Sequence, residues 1–143
     1  VVVFFNNDLY EVLDGNGVIL SIKQNYEGLS SLPLLVGKDA SKNINALLAL
    51  VNEIGSYQSE VLYYEWVGER RWDIHMKSEL VFKLPENNLN KGLNLMRMFL
   101  RETNKLSKTI VSVDLRNIDK PIIRFRKAPP VEYLGKNTRR LAG

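Results

Sequence analysis

Residues 60–84 read EVLYYEWVGERRWDIHMKSELVFKL, and this stretch sets the architecture of the protein. It contains three short runs rich in aromatic and β-branched residues, at positions 60–67, 71–77 and 80–84, a composition typical of β-strands. Only Gly68-Glu69-Arg70 separates the first two runs, and this tripeptide is a turn candidate. Because strands joined by short turns run antiparallel, the stretch predicts part of an antiparallel sheet.

Apolar residues at helical spacing lie on both sides of this stretch. Upstream, Ser41 can cap the start and Gly55 can close the end of a helix with an apolar face of Ile44, Leu47, Leu48, Val51 and Ile54. Downstream, Asn87 or Asn88 can cap a helix over residues 89–103, with an apolar face of Leu89, Leu93, Met96, Leu100 and Thr103. Stripes of this kind face a hydrophobic core rather than a cofactor.

The N-terminal residues predict three strands and a loop. Residues 1–5 are apolar and read as a strand. Residues 9–13 and 18–22 flank Asp14-Gly15-Asn16-Gly17, a strong hairpin signal because Gly and Asn tolerate positive φ. Residues 23–40, which contain Leu-Pro-Leu-Leu-Val-Gly at 32–37, read as a loop.

Two further strands complete the predicted domain at the C-terminus. Residues 109–116 alternate, with Val111, Val113 and Leu115 on one face, and residues 117–120 form a turn. Residues 121–127 form the last strand, and Ala128-Pro129-Pro130 ends regular structure. The order predicts an α+β fold, with two helices packed on one face of an antiparallel or mixed sheet.

Length and composition limit the classes of protein to which this chain can belong. The chain has 143 residues, which is enough for one domain with a real core, and we expect that domain to occupy residues 1–127. No run approaches the roughly 20 apolar residues of a membrane helix, and because the first residues lack the pattern of a signal peptide, we expect none there. Because the chain starts abruptly on a strand, we expect an upstream part to be missing. Zero cysteines exclude disulfides, thiolate metal ligands and a cysteine nucleophile.

The positive charge is concentrated at the C-terminus. Residues 120–143 carry seven basic side chains against one acidic side chain, whereas the rest of the chain is slightly acidic. Residues 128–143 therefore read as a basic tail. Such a tail either keeps the protein soluble or meets an acidic partner or a membrane surface. Nucleic acid is a poor fit because no RNP-type aromatic motif accompanies the basic residues.

Catalytic chemistry is sparse in this sequence. The only histidine, His75, shares its strand face with Arg71, Asp73 and Lys77, so we expect it to be solvated among charges. No serine lies in a nucleophile-elbow context, and one histidine without cysteines makes a zinc site improbable. We expect no enzyme activity, cofactor or metal. The alternative is a ligand-binding or hydrolytic domain with a charged site around Asp73 and His75.

The last predicted strand has the character of a sheet edge. Pro121 has no amide hydrogen, so it fits an edge strand or a strand start. Alternation places Ile123 and Phe125 on one face, and Ile122, Arg124 and Arg126 on the other. Proline and basic residues can simply protect an edge from aggregation. Alternatively, the edge accepts a partner's strand, with Phe125 as anchor and the arginines selecting an acidic partner.

Four motifs in this order resemble the FtsQ/DivIB family. They are the aromatic and polar run into a D-x-x-G turn at residues 5–17, Leu-Pro-Leu-Leu-Val-Gly at 32–37, Arg71-Trp72 opening a strand, and Val-Asp-Leu-Arg at 113–116. The resemblance covers about residues 4–126. It implies the membrane-distal β domain of a single-span inner-membrane protein, facing the periplasm at the division septum. On this resemblance, we expect the family's POTRA domain and membrane helix to be missing from this chain.

The resemblance also implies a scaffold without catalysis that binds FtsB, and FtsL through it. In the family the last strands of the β domain receive an added strand from FtsB. Mapped by position, this implies a partner-binding segment of Asn117, Pro121, Ile122, Ile123, Arg124, Phe125 and Arg126. Asn117 stands where some members have an aromatic residue, and Phe125 stands where they have tryptophan. Leu84-Pro85 replaces a common Leu-Gly pair, from which we expect only a local loop change.

Overall fold

The computed structural model describes residues 1–102 and 109–126. In chain order, these residues form nine strands and two α-helices: β1 (Val2–Asn6), β2 (Leu9–Leu13), β3 (Ile19–Lys23), β4 (Leu34–Val36), α1 (Ile44–Ile54), β5 (Val61–Val67), β6 (Arg71–Met76), β7 (Val81–Lys83), α2 (Leu89–Glu102), β8 (Ile110–Asp114) and β9 (Ile122–Phe125). Thr103, Lys127 and the expected basic tail, residues 128–143, lie outside the described residues.

All nine strands form one mixed sheet in the order β3-β2-β1-β4-β5-β6-β7-β8-β9. The pairs β1–β4, β4–β5 and β7–β8 are parallel, and the other pairs are antiparallel. A parallel pair needs a crossover, and the helices supply two of them, α1 between β4 and β5 and α2 between β7 and β8. The predicted α+β class and the hairpin at residues 14–17 are confirmed, and β3 and β9 are the two edges.

β4 lies inside the segment that sequence patterning assigned to a loop. Its three residues pair in parallel with β1 and β5, and Leu35, opposite Tyr64, is fully buried. The loop assignment was therefore wrong for residues 34–36. Three residues are too few to show alternation, and both partners of β4 are distant or connected through a helix, so no local signal marks the strand.

The two helices begin and end close to their expected positions, with one difference. A 3₁₀ turn over Ala40–Asn43 precedes α1, so Ser41 lies inside that turn and does not cap the helix. Gly55 ends α1 as expected, with φ 62° and its N–H directed to the Val51 carbonyl. Of Asn87 and Asn88, Asn88 directly precedes α2, and its carbonyl accepts the Gly92 N–H at 3.1 Å.

Both helices bury their apolar stripes in a single core cluster on one face of the sheet. That cluster combines Leu47 and Ile54 of α1, Leu93 and Met96 of α2, and strand residues such as Phe82. Gly92 is required for this packing, because a Cβ at that position would lie 2.5 Å from Cδ of Pro85. The face opposite the helices is called the open face below.

A bulge interrupts the pairing of β8 with β9. Ile110 pairs with Phe125 and Ser112 pairs with Arg124, so Val111 has no partner in β9. Val113, Leu115 and Ile110 are buried in the core, whereas Val111 is 40 % exposed. The bulge therefore interrupts the regular alternation that the sequence predicted for residues 109–116, because the extra residue resets the alternation upstream of it.

Candidate functional site

β9 forms the C-terminal edge of the sheet and is held by β8 alone. The antiparallel register places Ile122 opposite Asp114, Ile123 opposite Val113, Arg124 opposite Ser112 and Phe125 opposite Ile110. Pro121 immediately precedes the strand, a position compatible with its missing amide hydrogen. Among the described residues, no strand pairs with the outer side of β9.

The outward backbone groups of β9 can be assigned from one hydrogen bond. The Arg126 N–H donates to the Thr109 carbonyl at 2.7 Å, so it points toward β8. Because amides alternate along a strand, those of Ile122 and Arg124 also point toward β8. The N–H and carbonyl groups of Ile123 and Phe125 therefore point away from the sheet. Pro121, which occupies the same side, contributes no donor there.

The side chains of β9 are all exposed. Ile123 and Phe125 lie opposite core residues and so share the helix-covered face, just beyond the edge of the core. Ile122 and Arg124 lie on the open face, opposite Asp114 and Ser112. The strand thus presents three exposed apolar side chains together with exposed arginines at positions 124 and 126, which is a typical composition for a protein interface.

The turn before β9 is held by its own side chains. Asn117 Oδ1 accepts the Asp119 N–H at 3.1 Å, and the Asn117 carbonyl accepts the Lys120 N–H at 3.0 Å. Arg116 Nε donates to both carboxylate oxygens of Asp114, at 2.9 and 3.0 Å. Hydrogen bonding by the Arg116 side chain holds the pKa of Asp114 below its usual range. Asn117 therefore shapes the turn that directs the chain into β9.

The two edges of the sheet differ in their regularity. In the β2–β3 pair, the extra residue is Leu20 of the edge strand itself, so β3 is bulged. In the β8–β9 pair, the extra residue belongs to β8, and β9 stays regular. A bulge on an edge strand hinders the addition of another strand. β9 is therefore the edge that is better suited to accept one.

A charged cluster occupies the middle of the open face. His75 was expected to be solvated, but its side chain is only 21 % exposed. It stacks on Tyr63 with ring centroids 4.2 Å apart, and its Nε2 lies 2.8 Å from Glu65 Oε1. The expectation failed because Tyr63 of the neighbouring strand lies directly opposite His75 and covers the ring, a contact that depends on cross-strand register.

Asp73 is the most buried charge of this cluster, at 5 % exposure. Arg71 Nε donates to its Oδ1 at 3.1 Å. Burial raises the pKa of the Asp73 carboxyl, and the Arg71 contact partly offsets this effect. Each carboxylate of the cluster is thus engaged by its own partner. Within residues 1–102 and 109–126, no three His, Asp or Glu side chains are grouped so that they could hold a metal ion.

Sequence comparison identifies the family. Residues 3–116 match the family model described as cell division protein FtsQ/DivIB, C-terminal. The match therefore ends before β9 begins. In the described part of the chain, neither helix is long and apolar enough to cross a bilayer.

Individual cell division proteins support this match. The chain is 34% identical over 96 residues to FtsQ of Rhizobium radiobacter, covering 67% of this chain and 46% of that protein. It is 30% identical over 126 residues to FtsQ of Zymomonas mobilis, covering 87% of this chain and 40% of that protein. It spans less than half the length of these relatives. The chain therefore belongs to the FtsQ/DivIB family of cell division proteins and matches its C-terminal part.

Proposed function

We propose that this domain is a non-enzymatic docking module of the division machinery that accepts a strand from FtsB along β9, recruits FtsL through FtsB, and supports septum formation. The proposal rests on the geometry and the exposed side chains of β9. It is a regular edge strand with outward backbone groups at Ile123 and Phe125 and exposed apolar and arginine side chains.

Backbone pairing supplies the geometry of this docking. The N–H and carbonyl groups of Ile123 and Phe125 form the outward row that an added strand meets. Each hydrogen bond contributes only about 0.5–1.5 kcal/mol net. Pro121 removes a donor at the start of the row, and the Asn117 turn precedes it. The added strand therefore pairs over a short segment, and side chains must supply much of the affinity.

Phe125 is the proposed anchor, and Arg124 and Arg126 are the proposed charge selectors. Phe125 is the largest exposed apolar side chain of β9, and aromatic residues dominate binding hot spots. Arg126 Nη2 lies 3.6 Å from Glu79 Oε2, but both side chains are largely exposed, so this ion pair does not hold the arginine strongly. The two guanidinium groups favour an acidic partner.

The full-length protein, in this proposal, is anchored in the inner membrane by a single helix that lies outside residues 1–143. The domain lies on the periplasmic side, at the division septum. Its partners are proteins, and no nucleic acid is involved.

Hydrogen exchange in the presence of an acidic, FtsB-like peptide tests the proposal. We expect the amides of Ile123 and Phe125 to gain protection when the peptide binds. The amides of Arg124 and Arg126, already directed to β8, should change less. Binding without new protection at Ile123 and Phe125 would show that the peptide does not add as a strand.

A further inference from the structure

The opposite edge of the sheet carries a second exposed apolar surface. Val18, Ile19, Leu20 and Ile22 are each half exposed or more, and they lie within five consecutive positions. These four residues are called the β3 patch. Aliphatic side chains clustered in this way on the surface of a folded domain mark contact surfaces.

The β3 patch lies at the margin of the helix-covered face. Ile22 pairs with Glu11, which in turn lies opposite the core residue Phe4, and Ile19 pairs with the core residue Leu13. The bulge at Leu20 brings Ile19 and Ile22 to the same side although they are three positions apart. The bulge also interrupts the outer backbone row, so side chains rather than added hydrogen bonds must carry a contact here.

Along β3 itself, charge lies only at the two ends of the patch, while Glu11 of β2 lies beside Ile22. Between Asp14 and Glu27 the one charged side chain is Lys23, which ends β3. Asp14 begins the hairpin turn at the other end, where its Oδ1 accepts the N–H groups of Asn16 and Val18. The outer edge formed by residues 14–23 is therefore uncharged at its centre, acidic at one end and basic at the other.

We propose that the β3 patch packs against the β3 patch of a second copy of this chain, about a two-fold axis that sets the two strands antiparallel. A two-fold contact requires a self-complementary surface. The antiparallel arrangement brings Asp14 of each copy toward Lys23 of the other. Packing β3 in parallel against β9 of a second copy would instead place Lys23 near Arg124 and Arg126, which repel it.

The patch is small, so the dimer is weak. Interfaces at the low end of the size range belong to transient complexes. We expect a dissociation constant on the order of 0.1–1 mM for the isolated chain. Tethering in a shared membrane or assembly would raise the effective concentration and favour the dimer.

Sedimentation equilibrium of the 143-residue chain over rising concentrations tests this inference. We expect a monomer–dimer equilibrium, and Leu20→Lys should raise its dissociation constant at least about tenfold because two like charges then meet across the axis. Lys23→Glu should weaken the dimer too, since it opposes Asp14. Met98→Lys, which changes an exposed residue of α2, should have no effect. Circular dichroism and thermal melts establish that each variant is folded.

Phe125→Ala separates this inference from the docking proposal, because it should leave the β3 dimer intact. A chain that stays monomeric at every concentration overturns the inference. So does a dimer that survives Leu20→Lys, or one that Phe125→Ala dissolves, since self-association would then use another surface.

Discussion

Phe125 and Ile110 lie directly opposite each other in the β8–β9 pair, yet Ile110 is 3 % exposed and Phe125 is 54 % exposed. The hydrophobic core therefore ends at β8, and β9 extends the sheet one strand beyond it. An aromatic ring in this position contributes little to folding, and so it is available for binding.

Phe125→Ala should therefore weaken binding of an acidic FtsB-like peptide without destabilising the domain. We expect a loss of roughly tenfold to one-hundredfold in affinity, the effect of removing a hot-spot aromatic residue. The free energy of unfolding should change by less than about 0.5 kcal/mol. Isothermal titration calorimetry and urea unfolding measure the two quantities.

Phe5→Ala provides the matched control for Phe125→Ala, since Phe5 is an exposed phenylalanine on β1. It should leave the affinity unchanged. If both alanine variants bind as tightly as the wild type, Phe125 is not the anchor.

Ile123→Pro should abolish strand addition, because it removes an amide that points away from the sheet. Arg124→Pro should instead disrupt the β8–β9 pair, because its amide points toward β8. Loss of binding with a native melting temperature is the result expected for Ile123→Pro. Arg124→Pro should lower the melting temperature as well. Equal behaviour of the two variants would contradict the assigned amide directions.

His75→Ala tests whether the charged cluster has a role of its own. The change removes the stack on Tyr63 and the contact with Glu65, so we expect a loss of about 1–2 kcal/mol in the free energy of unfolding. Peptide affinity should be unchanged, since His75 lies on β6, three strands from β9. A specific loss of hydrolytic or ligand-binding activity in this variant would favour the alternative function.

Gly92→Ala should destabilise the domain although alanine is the better helix former. The new methyl group would lie 2.5 and 2.8 Å from Cδ and Cγ of Pro85, so the loop before α2 must move. We expect a net loss of about 1–3 kcal/mol, as in other overpacked sites. Adding Pro85→Ala should restore part of the stability. Equal stability of the wild type and Gly92→Ala would show that the loop accommodates the methyl group freely.

Acid stability should depend on Asp114. Its pKa is lower in the folded state than in the unfolded chain, so the group stabilises the fold above its unfolded pKa, and this contribution is lost as the pH falls through its folded pKa. Asp114→Asn should therefore cost less than about 1 kcal/mol at neutral pH. The cost should disappear in strong acid. Urea unfolding at several pH values measures the difference, and a constant cost would contradict this account.

Asp73 contributes to pH dependence with the opposite sign. Burial raises its pKa above the unfolded value, so its ionised form costs stability as the pH rises through that interval. The cluster on the open face is thus not a simple source of stability. Its ion pair with Arg71 offsets part of the cost of burying the carboxylate.

Sequence patterning was sufficient to predict the local features of this domain. The helical spacing of apolar residues identified α1 and α2, turn chemistry identified the hairpin at residues 14–17, and Pro121 indicated a strand start or an edge strand. These features depend on neighbours within a few positions, and a linear pattern records such neighbours.

Features that depend on pairing between segments distant in sequence could be identified only from the tertiary structure. Sheet pairing placed β4 between β1 and β5, left Val111 unpaired in a bulge and covered His75 with Tyr63. It also directed the Ile123 and Phe125 amides away from β8. Each of these outcomes depends on strand register. Register is determined by contacts between segments that are distant in sequence and meet only when the chain folds.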